Sequence, residues 1–393
     1  MRTQLVIIQP TSFCNINCRY CYLPHRRVAR RISVETLSQT FKMLFASPFV
    51  SDDIEFVWHA GEPLVLPIGF YERAFQLQEE WNINSVRIVN SFQTNATLIT
   101  QKWCRFFKVH NVHIGVSLDG PSHMHDANRI DRAGRGTFER VLRGIELLEA
   151  NDINYSVIAV ITKDSVQYPD DFWQFFYDLQ PARLGLNPEE SEGVNENASL
   201  RTDEDVHHYS QFFKRLLMLN QQNQHLLSIR EVEHLMRHIR SAPLRIHSQT
   251  NVPMAILSFD CDGNVSTFSP ELLTMSHHTY GNFIFGNVFE GKLEDIYTQS
   301  KFIEVNAQIQ QGVNKCRETC EYFAFCGGGS PSNKLYENGT FDSTETIACR
   351  LKVKATTDAL LECLEEKYHI EPCAQKKHGS TREELIHQRE HVD

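Results

Sequence analysis

Apolar and polar positions alternate in blocks along the first half of the chain. Six short runs, 4–9 (QLVIIQ), 53–59 (DIEFVWH), 85–93 (SVRIVNSFQ), 112–118 (VHIGVSL), 153–162 (INYSVIAVIT) and 182–187 (ARLGLN), are rich in Val and Ile and read as buried parallel strands. Amphipathic stretches over 33–46, 68–80, 100–109, 136–150 and 168–179 lie between them and predict helices. This alternation predicts an α/β fold, a partial (β/α)6 TIM barrel over residues 1–190 with right-handed crossovers. In such barrels chemistry gathers at the C-terminal ends of the strands. Residues 203–220 and 228–240 keep a helical period and predict a helical connection over 191–250. Its histidines, His207, His208, His234 and His238, read as surface or packing residues.

Charge and composition narrow the function. The chain has 393 residues and a formal net charge of -10, with 49 Asp and Glu against 39 Lys and Arg. That balance argues against nucleic acid as the main partner, because phosphate binding needs a net positive face. No N-terminal apolar run is long enough for a signal peptide or a membrane span, so a cytoplasmic protein with no membrane partner is expected. In that compartment structural disulfides are rare, and 11 Cys point to metal or redox chemistry. The basic stretch 24–31 (PHRRVARR) reads equally as a solvated loop or as a docking site for an acidic peptide or a small electron-transfer protein.

The cysteines fall into two sets. Cys14, Cys18 and Cys21 follow the first strand as C-x3-C-x2-C, with Tyr20 just before the last. One loop can then wrap three corners of a [4Fe-4S] cube and leave the fourth iron free for a small molecule. A structural zinc wants a fourth ligand, for which His25 is the local candidate, and a disulfide would leave a thiol over. Cys316, Cys320 and Cys326 form C-x3-C-x5-C, followed by the distant Cys349. Four thiolates can enclose a whole cluster, but by spacing alone they suit zinc about as well. Cys104, Cys363 and Cys373 stand singly and read as core or surface thiols.

The motif C-x3-C-x-aromatic-C after a first barrel strand resembles the signature of the radical S-adenosylmethionine (SAM) superfamily. Other segments carry the same likeness. HAGEP (59–63) resembles the family's Gly-Gly-Glu-Pro segment, with Ala60 in place of the first Gly, which implies that Gly61 and Glu62 meet the methionine amino group. QTNAT (93–97) and SLDG (117–120) match segments that line the SAM pocket, which implies roles there for Asn95, Ser117 and Asp119. Arg129, in HDANR, is similar to an Arg that pairs with the SAM carboxylate, and Tyr20 belongs to the same pocket. The chemistry implied is one-electron cleavage of the sulfonium to a 5'-deoxyadenosyl radical, for which the protein supplies position and exclusion of water.

The second cysteine set resembles the C-terminal SPASM or twitch-type region of peptide-modifying radical SAM enzymes, here expected over 251–355, before a C-terminal helix and charged tail over 356–393. That family typically holds two auxiliary clusters through seven cysteines. Two of the expected positions are Phe268 and Ser330 in this chain, so a single auxiliary cluster is expected, giving two [4Fe-4S] clusters in all. Cys261 reads as a remnant of the missing site or as an ordinary buried thiol.

The greatest likeness is to the glycine-rich-repeat peptide maturases, carried by IQPTSFCNINCRYCYLP, VWHAGEPLVLP, SFQTNATL, VSLDGPSHMHDANR, FSPELLTM and CGGGSPSNKLYENGTFDSTETIACR. The resemblance implies hydrogen abstraction from a β-carbon of a ribosomally made, glycine-rich precursor peptide, then bonding of that carbon to an aromatic ring in a cyclophane. The ring must then lose an electron, for which the auxiliary cluster is the expected acceptor, and a proton, for which Glu271, His277 and His278 are the candidate bases. The implied reductant is a small electron donor such as ferredoxin or flavodoxin. A first strand within a few residues of Met1 leaves no separate leader-binding domain expected before it. Two other functions fit parts of the pattern: formylglycine formation in a sulfatase, and a non-catalytic iron-sulfur sensor.

Overall fold

The computed structural model describes residues 2–224, 227–240 and 248–368; of the C-terminal helix and tail expected over 356–393, the part beyond residue 368, with Cys373, lies outside the described residues. Six parallel strands pair in chain order: β1 (Thr3–Ile8), β2 (Val50–Trp58), β3 (Arg87–Thr94), β4 (His113–Ser117), β5 (Tyr155–Ile161) and β6 (Arg183–Pro188). The helices between them are α1 (Val34–Phe45), α2 (Ile68–Trp81), α3 (Gln101–Val109), α4 (Ser122–Asn128), α5 (Phe138–Glu149) and α6 (Pro169–Leu179). The fold is thus the expected α/β partial barrel, and α1 starts where Ser33 Oγ accepts the Thr36 amide at 2.9 Å. Helix α4 shows no sequence signal because seven residues are too few for a period. It matters because it ends at Arg129.

An aromatic cluster packs the ends of β2 and β3 against α2 and α3. The Tyr71 ring meets Phe92 at 4.7 Å, Trp58 at 5.2 Å and Trp103 at 5.8 Å, mostly edge to face. Its hydroxyl donates to the Pro63 carbonyl at 2.8 Å, so the packed core holds the turn that follows Glu62.

Beyond the barrel, α7 (Asp203–Gln222) opens with a capping box from Thr202 and Asp205, and α8 (Arg230–Arg240) follows. The chain then returns to the sheet. Strand β7 (Ile256–Phe259) pairs parallel with β1, β8 (Asn264–Thr267) pairs antiparallel with β7, and a hairpin of β9 (Ser276–His277) and β10 (Gly281–Asn282) precedes β11 (Gly286–Asn287), which lies on β8. The sheet therefore has nine strands rather than six, and the outer edge of β1 is covered. Physically, β1 carries backbone donors and acceptors on both sides, and pairing satisfies them. A four-residue run such as ILSF is too short to announce this in the sequence.

The last part of the chain is helical: α9 (Ser300–Thr319), α10 (Phe323–Cys326), α11 (Pro331–Asn338), α12 (Ile347–Cys349), a π-helical turn over Arg350–Ala355, and α13 (Thr356–Tyr368). Lys214 of α7 reaches Glu362 at 3.0 Å and Glu366 at 2.9 Å on α13.

Candidate active site

The loop that leaves β1 carries Cys14, Cys18 and Cys21 and is held on several sides. Asn15 Nδ2 donates to Thr97 Oγ1 at 2.8 Å, and Asn95 Nδ2 donates to Asn15 Oδ1 at 2.9 Å, which ties the loop to the end of β3. The Arg26 guanidinium donates to the Cys18 carbonyl at 2.9 Å, and Arg132 donates to the carbonyls of Cys14 and Arg26. Arg30 pairs with Asp262. Arg26, half-buried, and Arg30, at the surface, are thus tied to other segments of the chain, while Arg27 and Arg31 are exposed.

Ala60 and Gly61 both adopt left-handed backbone, with φ of 66° and 77°. A Cβ on Gly61 would stand 2.3 Å from the Thr11 carbonyl oxygen and 2.8 Å from that of Phe13, so only Gly lets this turn close on the cysteine loop. Ala60 tolerates its conformation at a cost of about 1 kcal/mol.

Glu62, 1% exposed, accepts from Leu64 N at 2.9 Å, Thr94 Oγ1 at 2.7 Å and Asn95 N at 2.8 Å. Burial outweighs these donors and pushes its carboxyl up to about 7. Asp119 holds the Arg129 guanidinium by two bonds of 3.0 Å, accepts from Val160 N at 2.9 Å and takes the Tyr20 hydroxyl. Arg129 stands over the Tyr20 ring at 5.4 Å and points a nitrogen at Cys18 Sγ, 3.9 Å away. Ser117 Oγ accepts from Gln93 Nε2 at 3.0 Å.

These groups surround a cavity of about 290 Å³. Cys18, Cys21, Tyr20, Ser117 and Arg129 line it directly. Gly61, Glu62, Asn95 and Asp119 stand behind that wall and hold it in shape. A further group of lining residues has no counterpart among the expected ones: Glu189, Glu190 and Glu192, just past the end of β6, come together with Glu271 and Lys352. Glu192 accepts from Ser332 Oγ at 2.8 Å and Asn333 Nδ2 at 3.0 Å, and Glu190 pairs with Lys352. Burial raises the Glu192 carboxyl well above the usual range, and Glu190 and Glu271 raise it further; burial likewise raises Glu271. One ammonium faces several crowded carboxylates, so this group can hold a proton. The sequence signal that could have found it is PEESEG at the end of the sixth strand, where barrel chemistry gathers.

Of the three candidate bases, the structure brings Glu271 to the cavity. His277 and His278 lie on the β9–β10 hairpin outside that cavity, with their rings 4.1 Å apart. His59 lines the cavity, and burial lowers its imidazole to about 4, so it is neutral there.

The second cysteine set spans the end of α9 to α12. Cys320 N donates to the Cys316 carbonyl at 2.9 Å, Gly328 N donates to Cys326 Sγ at 3.4 Å, and Thr346 Oγ1 caps Cys349 N at 3.0 Å. Burial pushes the Cys349 thiol up to about 12, and its neighbours Cys326 and Cys320 add to the shift. Phe268, where a thiol is expected by resemblance, is buried with its ring 5.9 Å from Phe302, and Ser330 Oγ lies 3.2 Å from Ser269 Oγ. Cys261 stands apart, with its thiol 3.4 Å from the Gln9 carbonyl.

The donor sets fit iron-sulfur clusters. Cys14 is pushed up to about 12 by burial and then by Glu62, and Cys18 up to about 11 by burial against the opposing pull of Arg129. Such thiols stay neutral without a cation and ionise when metal binds. Among the described residues no three His, Cys, Asp or Glu side chains converge as a single ion requires, and a four-iron cube spreads its thiolates more widely than one ion does. The cavity beside the first set has polar groups for an amino acid: a guanidinium, a hydroxyl and carboxylates.

Comparison with known proteins agrees. The radical SAM superfamily pattern matches residues 8–176. An uncharacterized protein of Synechocystis sp. is 44% identical over 368 residues, 93% of this chain and 92% of its own length. A cysteine-type anaerobic sulfatase-maturating enzyme of Clostridium perfringens is 25% identical over 341 residues, 83% of this chain and 88% of that protein. The solved structure of native anSMEcpe with bound AdoMet and the Cp18Cys peptide covers 93% of this chain and 99% of its own, with a TM-score of 0.77 at 22% identity, a likeness of fold. Residues 8–176 thus match the radical SAM superfamily, and the chain as a whole is similar in sequence to an anaerobic sulfatase-maturating enzyme and shares the fold of a solved one.

Proposed function

We propose that the protein modifies a ribosomally made, glycine-rich peptide by removing a hydrogen from a side-chain β-carbon and joining that carbon to a neighbouring aromatic ring. One observation carries this reading: a single cavity is lined both by Cys18 and Cys21 of the loop after β1 and by Glu271 with its partner carboxylates. With a [4Fe-4S] cluster and SAM at the first cysteine set, and a second cluster at Cys316, Cys320, Cys326 and Cys349, the bound groups supply hydrogen-atom abstraction and a sink for one electron.

The chain's own residues do the rest. Arg129, fixed by Asp119, orients a carboxylate; Glu62 keeps the strand-end turn closed over Cys14; Ser117 offers a hydroxyl. Glu271 takes the ring proton; burial and then Glu190 raise its carboxyl, against the opposing pull of Lys352. Peptide binding is supported by the peptide-bound structural neighbour.

Co-expression with a candidate glycine-rich precursor peptide tests the reading. The expected product has lost two hydrogens per crosslink, with fragmentation blocked between the joined residues. A second reading, formylglycine formation, is favoured by the name of the Clostridium relative. It predicts a product that reacts with a hydrazide, which a cyclophane does not. Phe268 and Ser330 weigh against it, because the sulfatase-type pattern has thiols there.

A further inference from the structure

Lys334 is a lysine out of its usual place. It is 2% exposed, and its Nζ lies 3.5 Å from Cys316 Sγ; among the described residues no carboxylate pairs with it. A buried ammonium without an opposing anion is strongly disfavoured, so negative charge beside it stabilises the charged form. The backbone is shaped around this side chain. Gly312 lies one turn before Cys316 on α9, and a Cβ there would stand 3.1 Å from Lys334 Nζ and 2.3 Å from the Phe341 carbonyl oxygen. Three successive glycines with positive φ, Gly327, Gly328 and Gly329, turn the chain from Cys326 so that α11 can aim Lys334 back at the cysteines.

A [4Fe-4S] cube on four thiolates carries net negative charge, and one-electron reduction adds another. A desolvated cation at van der Waals distance from one sulfur stabilises the more negative form by more. We propose that Lys334 tunes this second cluster: its ammonium, acting through Cys316, raises the reduction potential so that the cluster accepts the electron a ring gives up on regaining aromaticity. The purpose rests on the peptide-crosslinking reading, but the tuning itself does not.

The test uses the full chain with Cys14, Cys18 and Cys21 replaced by Ala, so that any remaining cluster sits at the second set. After anaerobic reconstitution, EPR-monitored redox titration compares this parent with added Lys334→Met and Lys334→Arg. Lys334→Met is expected to make reduction about tenfold less favourable, a midpoint about 59 mV lower, while Lys334→Arg keeps the parent's midpoint. Loss of iron in the Met variant with retention at the parental midpoint in the Arg variant also supports a charge requirement. An unchanged midpoint in the Met variant overturns the proposal. So do equal shifts in both variants, loss of iron in both, or zinc instead of iron in the parent. A shifted midpoint without crosslinked peptide would leave the tuning standing and remove its assigned purpose.

Discussion

Glu62 shows how burial and hydrogen bonding contend at one residue. Its carboxyl stands at about 7 against an ordinary 4.5. A carboxyl raised in the folded state contributes stability that is complete below the unfolded value and is lost as pH rises through the folded one. The cluster-free protein should therefore lose stability between about pH 4.5 and pH 7, by at most about 3 kcal/mol from this group. Urea unfolding at pH 5 and pH 8 checks this: in Glu62→Gln the difference between the two pH values should shrink by that amount, and an unchanged difference would refute the assignment. The sequence pointed to Glu62 through the segment that contains it, but not to its partners, because Thr94 and Asn95 reach it only once β2 and β3 pair. Glu190, Glu192 and Lys352 stayed hidden for a similar reason. The two glutamates share one segment, but Lys352 lies about 160 residues later, and only the fold makes one charge group of them.

At the level of elements, the two cysteine sets should behave as separable units. Anaerobic reconstitution is expected to give about eight irons per chain, and about half of that when Cys14, Cys18 and Cys21 are all Ala. Twelve irons would mean that Phe268 and Ser330 do not mark a lost site. Replacing Cys316 and Cys320 by Ala should abolish crosslinking while SAM is still cleaved, read out as 5'-deoxyadenosine under reducing conditions. Undiminished crosslinking would end the electron-sink role. The loop after β1 makes a further prediction. Because Arg26 and Arg30 already bond the Cys18 carbonyl and Asp262, charge reversal at Arg27 and Arg31 alone should raise the peptide concentration needed for turnover, or slow reduction by an acidic donor, at low salt. No change in either would make the stretch a solvated loop. The barrel strands and the long helices were legible because their periods run for several turns. Helix α4, β7 and the short strands after it were not, since two to seven residues carry no measurable period.

At the scale of the whole molecule, the packing of the C-terminal region explains why a missing thiol leaves no hole. Phe268 fills the space with a ring against Phe302 and Phe285, and Phe268→Ala should cost about 3–5 kcal/mol in thermal or denaturant unfolding. A cost under 1 kcal/mol would mean that the ring is not part of that core. The class of fold was readable from alternation alone, whereas the way the last third joins the first was not, because nothing local in β1 says which segment will cover its edge. That join has a consequence for synthesis. Leu5 of β1 pairs with Ile256 of β7, about 250 residues later. At about 5–20 residues per second, a ribosome leaves that edge bare for roughly 12 to 50 s after β1 emerges. During that interval a nascent chain presents an apolar, unpaired strand to every other chain nearby, so the yield of intact protein should depend on chaperone supply and translation speed more than on the stability of the finished fold.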